Sequence, residues 1–231
     1  DLGLGEGVAA VLDAHIAAGG GRFRGIRHMM AHDADPDVLG PLAHAAPGLC
    51  GAPEVQAALR HFPARQMSLD VWVLEPQLGE VLEMARANPD VPMVIDHVGT
   101  PLGLGVYAGQ RDARFSTWAA RIKALATCPN VHMKLGGLGM PFSGFEGMGP
   151  EVRPSSETLA GWWAPYLETC IEAFGAHRCM FESNSPVDKF GADYATLWNA
   201  FKRVAAGASA SEKADLFAGT AARFYRVEHI L

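Results

Sequence analysis

The apolar residues of the chain follow two alternating patterns. Apolar runs of strand length occur at 23–28, 67–74, 91–98, 131–135 and 179–181. Around them, apolar residues recur every three to four positions, as on one face of a helix, over 8–16, 53–62, 78–85, 115–125, 159–174 and 194–204. A last helix is predicted after Ser209, because Ser209 and Glu212 have capping-box spacing. The pattern therefore predicts five strands, each followed by a helix.

Strands that alternate with helices form a parallel sheet, which is either a barrel or an open doubly wound sheet. All five apolar runs carry polar side chains near their ends: Arg27, His28, Asp70, Asp96, His97, His132, Lys134, Glu182 and Asn184. A barrel gathers every strand end around one mouth, whereas an open sheet concentrates function at one switch point. The sequence has neither a P-loop nor the glycine spacing of a dinucleotide fold. These features predict an α/β barrel.

Composition limits the class of partner. The chain has 231 residues, of which 49% are hydrophobic, and we expect one domain over 1–231. A net charge of −6 without a basic run argues against nucleic acid or an anionic membrane, so the expected partner is a small-molecule substrate. No apolar run approaches the ~20 residues of a membrane span. The four cysteines lack metal or disulfide spacing, which indicates reduced thiols and a cytoplasmic protein.

Four segments carry a resemblance to a known family. They are Phe-Arg-Gly-Ile-Arg-His at 23–28, Ile-Asp-His-Val-Gly at 95–99, Met-Lys-Leu-Gly-Gly-Leu at 133–138 and Met-Phe-Glu-Ser-Asn-Ser-Pro-Val-Asp at 180–188. In this order and spacing they resemble the amidohydrolase-related family, which contains sugar and dicarboxylate lactonases and some aromatic-acid decarboxylases. The resemblance implies a TIM-type (β/α)8 barrel, with these segments in strands four to eight and Asp1-Leu2 at the end of strand three.

Two departures from the family pattern affect the expected chemistry. The family opens with a His-x-His pair on its first strand, and this sequence has none. We therefore expect a barrel without its first strands, whose open edges would favour a homo-oligomer. The family also places a general-base aspartate where this chain has Asn184. An amide cannot accept that proton, so Glu182 or Asp188 is the expected substitute, unless the chemistry differs.

Each candidate residue has a functional and a structural interpretation. The resemblance makes His97 a ligand of zinc or manganese, or a group that polarises the substrate carbonyl without a metal; the alternative is a hydrogen bond to a backbone carbonyl. Arg27 would hold a substrate carboxylate, or form an ion pair with Asp70. Glu182 is a base, or a partner of Lys134 or Arg27.

The other substrate-binding candidates are His28, at the mouth of the barrel, Asp70 and Lys134, the last with a structural role as its alternative. Asn184 would bind substrate or orient water. The acidic loop at 33–37 lacks the later residues of a calcium site. Five other histidines are not candidates: His15, His44, His61, His177 and His229.

Residues 139–156 are expected to form a lid. The predicted function is hydrolysis of a small, carboxylate-bearing lactone or related acyl compound. The alternatives are a decarboxylase of an aromatic or unsaturated acid and a ligand-binding barrel without catalysis.

Overall fold

The computed structural model describes residues 1–42, 45–145, 148–149 and 151–227. Within them lies one sheet of five parallel strands: β1 (Gly25–Met29), β2 (Ser68–Trp72), β3 (Met93–Ile95), β4 (Val131–Leu135) and β5 (Cys179–Phe181). The strands are neighbours in the order in which they occur along the chain. In a doubly wound sheet the order of the strands reverses at a switch point. In a barrel, neighbouring strands follow one another in the order of the chain. The predicted α/β fold of the TIM-barrel kind is confirmed.

Nine helices within the described residues precede, connect and follow these strands. They are α1 (Val8–Ala18), α2 (Pro36–Leu39), α3 (Pro53–Leu59), α4 (Leu78–Ala87), α5 (Arg111–Ala126), α6 (Ser156–Phe174), α7 (Tyr194–Val204), α8 (Ala210–Ala214) and α9 (Thr220–Tyr225). The capping box predicted at Ser209 is present, with Glu212 as its partner. A π-helical turn, Asp215–Gly219, joins α8 to α9. None of the helices described is both long and apolar enough to cross a membrane.

The two faces of the sheet differ in what they contact. Alternate side chains point to opposite faces of a strand. One face carries Leu69, Val71, Met93, Ile95 and Met133, which belong to the large apolar core shared with the helices. The register aligns Asp70 with Val94 and His132, and Lys134 with Met180, on the opposite face. We call this second face the inner face.

The last helix, α9, packs on the inner face. Phe224 forms a buried cluster with Val94 and Met180, and its ring centroid lies 4.8 Å from that of His132. This packing covers the apolar part of the inner face and leaves its polar side chains near the carboxyl ends of the strands. Burial lowers the pKa of His132 to about 4, so this side chain is neutral at physiological pH.

The predicted lid is only partly within the described residues. Its two aromatic side chains, Phe142 and Phe145, are packed against the protein, near Trp72 and Trp162 respectively. Three residues of the segment lie outside the described part of the chain: Glu146, Gly147 and Pro150. His44 and His229, which the sequence excludes as candidates, also lie outside it. The closing movement and the expected homo-oligomer stay predictions.

Candidate active site

His97 lies at the carboxyl end of β3 and is 2% exposed. Its Nδ1 contacts Glu182 Oε1, which also accepts the His97 backbone N–H at 3.2 Å. Its Nε2 lies 3.2 Å from Nη2 of Arg27. Because arginine only donates, Nε2 is the acceptor and the ring proton is assigned to Nδ1. The site therefore contains a histidine whose tautomer is set by a carboxylate.

Glu182 follows directly after β5 and faces His97 from there. Burial would raise the pKa of Glu182, but His97 and Lys134 together outweigh it and bring the pKa below its usual value. A carboxylate with a lowered pKa stays ionised at neutral pH and is a weak base. Its geometry and charge suit it to orient His97 and to stabilise the imidazolium form.

A chain of alternating charges extends from His97 across the inner face. Asp96, which is 0% exposed, lies 3.0 Å from Nε of Arg27 and 2.9 Å from Nζ of Lys134. Lys134 also contacts Asp70 at 2.6 Å, and the Tyr225 hydroxyl donates to Asp70 at 2.7 Å. Arg27 is thus paired with Asp96, and the alternative pairing of Arg27 with Asp70 is wrong. The reason is that Lys134 of β4 reaches Asp70 across the inner face.

The pKa values in this network reflect burial and pairing together. Burial raises the pKa of Asp96, although Lys134, His97 and Arg27 oppose the shift. Burial would lower the pKa of Lys134, but Asp96, Glu182 and Asp70 outweigh it and raise that pKa. Lys134 is therefore firmly protonated, and its geometry is that of a structural cation rather than of a base.

Asn184 and Asp188 form a second polar pair next to the site. Asn184 Nδ2 donates to Asp188 at 2.8 Å, and the Gly139 backbone N–H donates to the other carboxylate oxygen at 3.2 Å. Asp188 is 1% exposed. Its contacts tie the loop after β4 to the loop after β5. The position of Asp188 suits this structural role better than contact with a substrate.

Asp188 should make stability depend on pH. Burial raises its pKa from 3.8 to about 6, even though Asn184 donates to it. The folded state therefore binds the proton more tightly than the unfolded state. The contribution of this group to the stability of the fold is lost as pH rises from about 4 to 6. We expect the difference in unfolding free energy between the wild type and Asp188→Asn to shift against the wild type by about 2 kcal/mol between pH 4.5 and 7. Urea unfolding at both pH values measures it.

Asp13→Asn is the matched control for the Asp188 prediction. Asp13 is exposed, and its hydrogen bond with Arg65 lowers its pKa. A lowered carboxylate pKa gives stability that is present at neutral pH and is lost on acidification. The wild type should therefore keep a nearly constant advantage over Asp13→Asn between pH 4.5 and 7, and lose it only at lower pH. An advantage over Asp188→Asn that is constant, or that grows with pH, would contradict the assignment.

Two glycines after β4 make room for the histidine and carboxylate. A Cβ on Gly137 would overlap the His97 side chain, and one on Gly136 would overlap Glu182. Gly137 also has a φ of 72°, which favours glycine. The sequence shows this Gly-Gly pair, but without the fold nothing indicates that it borders the site.

His28 lies apart from the other substrate-binding candidates. It is adjacent to Arg27 on β1 and therefore points to the opposite face of the strand. Its Nδ1 accepts the Leu2 backbone N–H at 3.4 Å. Arg27, Asp70 and Lys134, in contrast, all belong to the network that leads to His97.

A metal ion has no complete set of ligands in the part of the chain that the structure describes. There, no group of three histidine, cysteine, aspartate or glutamate side chains is close enough to share an ion. Both ring nitrogens of His97 already have partners, and one of those is the cationic Arg27. The described residues therefore do not fit a metal centre by themselves.

The sequence and fold match a known family and several of its members. The family model described as amidohydrolase matches residues 2–227. The uncharacterized protein y4mH of Sinorhizobium fredii is 35% identical over 221 residues, which are 95% of this chain and 66% of that protein. An L-fucono-1,5-lactonase of Burkholderia ambifaria is 28% identical over 90% of this chain and 62% of its own length.

Crystal structures of an amidohydrolase from Burkholderia multivorans have the same fold. The form with bound HEPES has a TM-score of 0.77 and 26% identity, and the match covers 98% of this chain and 71% of that one. The form with bound zinc has a TM-score of 0.72 and 25% identity, and covers 92% and 69%. The chain spans about two thirds of the length of these relatives. From the match over residues 2–227, the chain belongs to the amidohydrolase family.

Proposed function

We propose that this protein is a hydrolase that opens a small, uncharged lactone by attack of a water molecule that His97 deprotonates. The observation that carries the proposal is the His97–Glu182 pair beside Arg27 at the carboxyl ends of the strands. Carboxyl ends of barrel strands are where such folds bind and convert substrates. The lactonase name of the Burkholderia ambifaria relative supports the same reaction class.

His97 is the base in this proposal, and Glu182 acts through it. Nδ1 is held by Glu182, so Nε2 is the ring atom that can take a proton from water, once the half-exposed Arg27 guanidinium that donates to it turns to the substrate oxygen. The hydroxide oxygen bonds to the lactone carbonyl carbon as the proton moves to Nε2. The ring C–O bond then breaks, the ring oxygen takes the proton from His97, and a hydroxy acid leaves. The base in this proposal is thus His97, whereas the sequence led us to expect Glu182 or Asp188.

Arg27 stabilises the oxygen that becomes negative. Its guanidinium lies 3.2 Å from Nε2 of His97, beside the atom that receives the proton. Its side chain is 48% exposed, so it can reach a bound molecule while Nε remains paired with Asp96. A fixed cation next to a developing oxyanion lowers the barrier to acyl transfer. Asn184 and Asp188 hold the neighbouring loops in place.

Zinc in the Burkholderia multivorans structure raises a metal-dependent alternative. The described residues do not fit a complete metal centre. The proposed reaction therefore uses side chains alone, and the expected zinc or manganese stays a prediction.

The charges of the site favour an uncharged substrate over the carboxylate-bearing one expected from the sequence. In the described network two cations, Arg27 and Lys134, face three carboxylates, Asp70, Asp96 and Glu182. Both cations are already paired. A substrate carboxylate would have to displace one of these partners and would add a like charge. A polyhydroxylated sugar lactone avoids that cost.

Substrate comparison tests this proposal. The purified protein should open L-fucono-1,5-lactone with a kcat/KM about 100-fold above that for a pyrone dicarboxylate, because like charges across a binding site cost several kcal/mol. The acid released on ring opening can be followed with a pH indicator. A preference for the dicarboxylate would contradict the proposed substrate class, and no turnover of any lactone would contradict the proposed reaction.

A further inference from the structure

The turn that carries His97 has an unusual backbone. Four consecutive residues have positive φ: His97 at 58°, Val98 at 48°, Gly99 at 71° and Thr100 at 45°. Only glycine adopts this region without strain, and each other residue costs about 1–3 kcal/mol. Val98 is β-branched, for which positive φ is especially unfavourable. The turn therefore depends on contacts from the surrounding protein to keep this shape.

Two buried indole groups supply such contacts. Trp118 Nε1 donates to the Val98 carbonyl oxygen at 2.9 Å. Trp72 Nε1 donates to Thr100 Oγ1 at 3.1 Å. Inside the turn, the Thr100 backbone N–H donates to the His97 carbonyl at 2.8 Å. The indole of Trp118 thus holds Val98, the residue that follows His97, from outside the turn.

Trp118 is itself rigidly placed. It lies in α5, is 0% exposed, and its ring centroid is 5.3 Å from that of Phe115 and 4.8 Å from that of Tyr166. These two rings pack against the buried indole, so its N–H has a fixed position in the core. A hydrogen bond from a fixed donor can hold a strained backbone in one conformation.

We propose that Trp118 is a positioning residue for His97. Through the Val98 carbonyl it keeps the turn in the left-handed conformation that brings the imidazole to Glu182 and Arg27. Its effect on turnover rests on the proposed function, whereas its effect on the His97 ring does not. Loss of the indole N–H should leave substrate binding intact and misplace the base.

Trp118→Phe and Trp163→Phe form a matched pair of variants. Trp163 is 1% exposed in α6, and its indole N–H has no hydrogen-bond acceptor among the described residues. Both changes remove an N–H and shrink a buried ring, but only one releases the His97 turn. For L-fucono-1,5-lactone we expect Trp118→Phe to lower kcat about tenfold with KM changed less than about twofold. Trp163→Phe should keep both constants.

Proton NMR gives a readout that does not require turnover. The low-field resonance of the His97 Nδ1–H, assigned by its absence in His97→Asn, should shift or broaden in Trp118→Phe and stay in place in Trp163→Phe. An unshifted resonance in a folded Trp118→Phe would overturn the proposal, even if the protein opens no lactone. A shifted resonance without any lactonase activity would instead keep the positioning role and remove the proposed function.

Thr100→Val is a second variant if Trp118→Phe does not fold. It keeps the β-branched shape and removes the hydroxyl that accepts from Trp72. Because this contact holds the other end of the same turn, the His97 resonance should move here too. A folded Thr100→Val with an unchanged resonance and unchanged kcat would show that these indole contacts do not set the position of His97.

Discussion

His97→Asn is expected to lower kcat for lactone opening by about 10³-fold, because general-base catalysis contributes 10²–10⁴. Asparagine can occupy the buried position and accept a hydrogen bond, but it cannot take a proton from water. The substrate contacts remain, so KM should change much less than kcat. Initial rates with L-fucono-1,5-lactone measure both constants.

The chain offers a matched control in a second histidine–glutamate pair. His61 Nε2 lies 2.9 Å from Glu6 Oε2 on the surface, away from the strand ends. His61→Asn makes the same chemical change outside the site and should leave kcat unchanged. Turnover by His97→Asn at the rate of the His61 variant would rule out His97 as the base.

Lys134→Met is expected to destabilise the fold by about 3 kcal/mol, because removing one partner of a buried ion pair leaves the other charges uncompensated. Nζ of Lys134 lies 2.6 Å from Asp70 and 2.9 Å from the fully buried Asp96, and these carboxylates raise the pKa of Lys134. Methionine is of similar length and uncharged, so packing is nearly unchanged. Urea unfolding at pH 7 measures the free energy.

Arg86→Met provides the comparison for Lys134→Met. Glu83 and Arg86 form an exposed pair, one helical turn apart, with 3.0 Å between the charged atoms. Solvent screens such pairs, so this change should have little effect on stability. If Lys134→Met were as stable as Arg86→Met, the buried network would not contribute to the fold as described.

Local patterns in the sequence were enough to predict most of the architecture. The strand predicted at 131–135 and the helix predicted at 194–204 have those bounds in the structure. The capping box after Ser209 forms as its spacing indicates. Each of these features depends on residues that are close together along the chain. Hydrophobic periodicity and capping patterns report such local preferences.

The partners within the site could not be predicted in the same way. His97 and Glu182 are 85 positions apart, and Lys134 and Asp70 are 64 apart. The sequence left Arg27, Lys134 and Glu182 with several partners, because the choice depends on strand register and on the face to which each side chain points. Trp118 has only a core pattern in the sequence, and its N–H bond to the His97 turn exists only in the folded chain.

In the proposed reaction Glu182 acts through His97 and is not itself the base. The most direct test is a double-mutant cycle on kcat/KM for L-fucono-1,5-lactone, with His97→Asn, Glu182→Gln and the double variant. We expect the double variant to be no slower than His97→Asn alone, because an orienting carboxylate has no effect without its histidine. A double variant in which the two losses multiply would contradict it and would give Glu182 a separate role in the reaction.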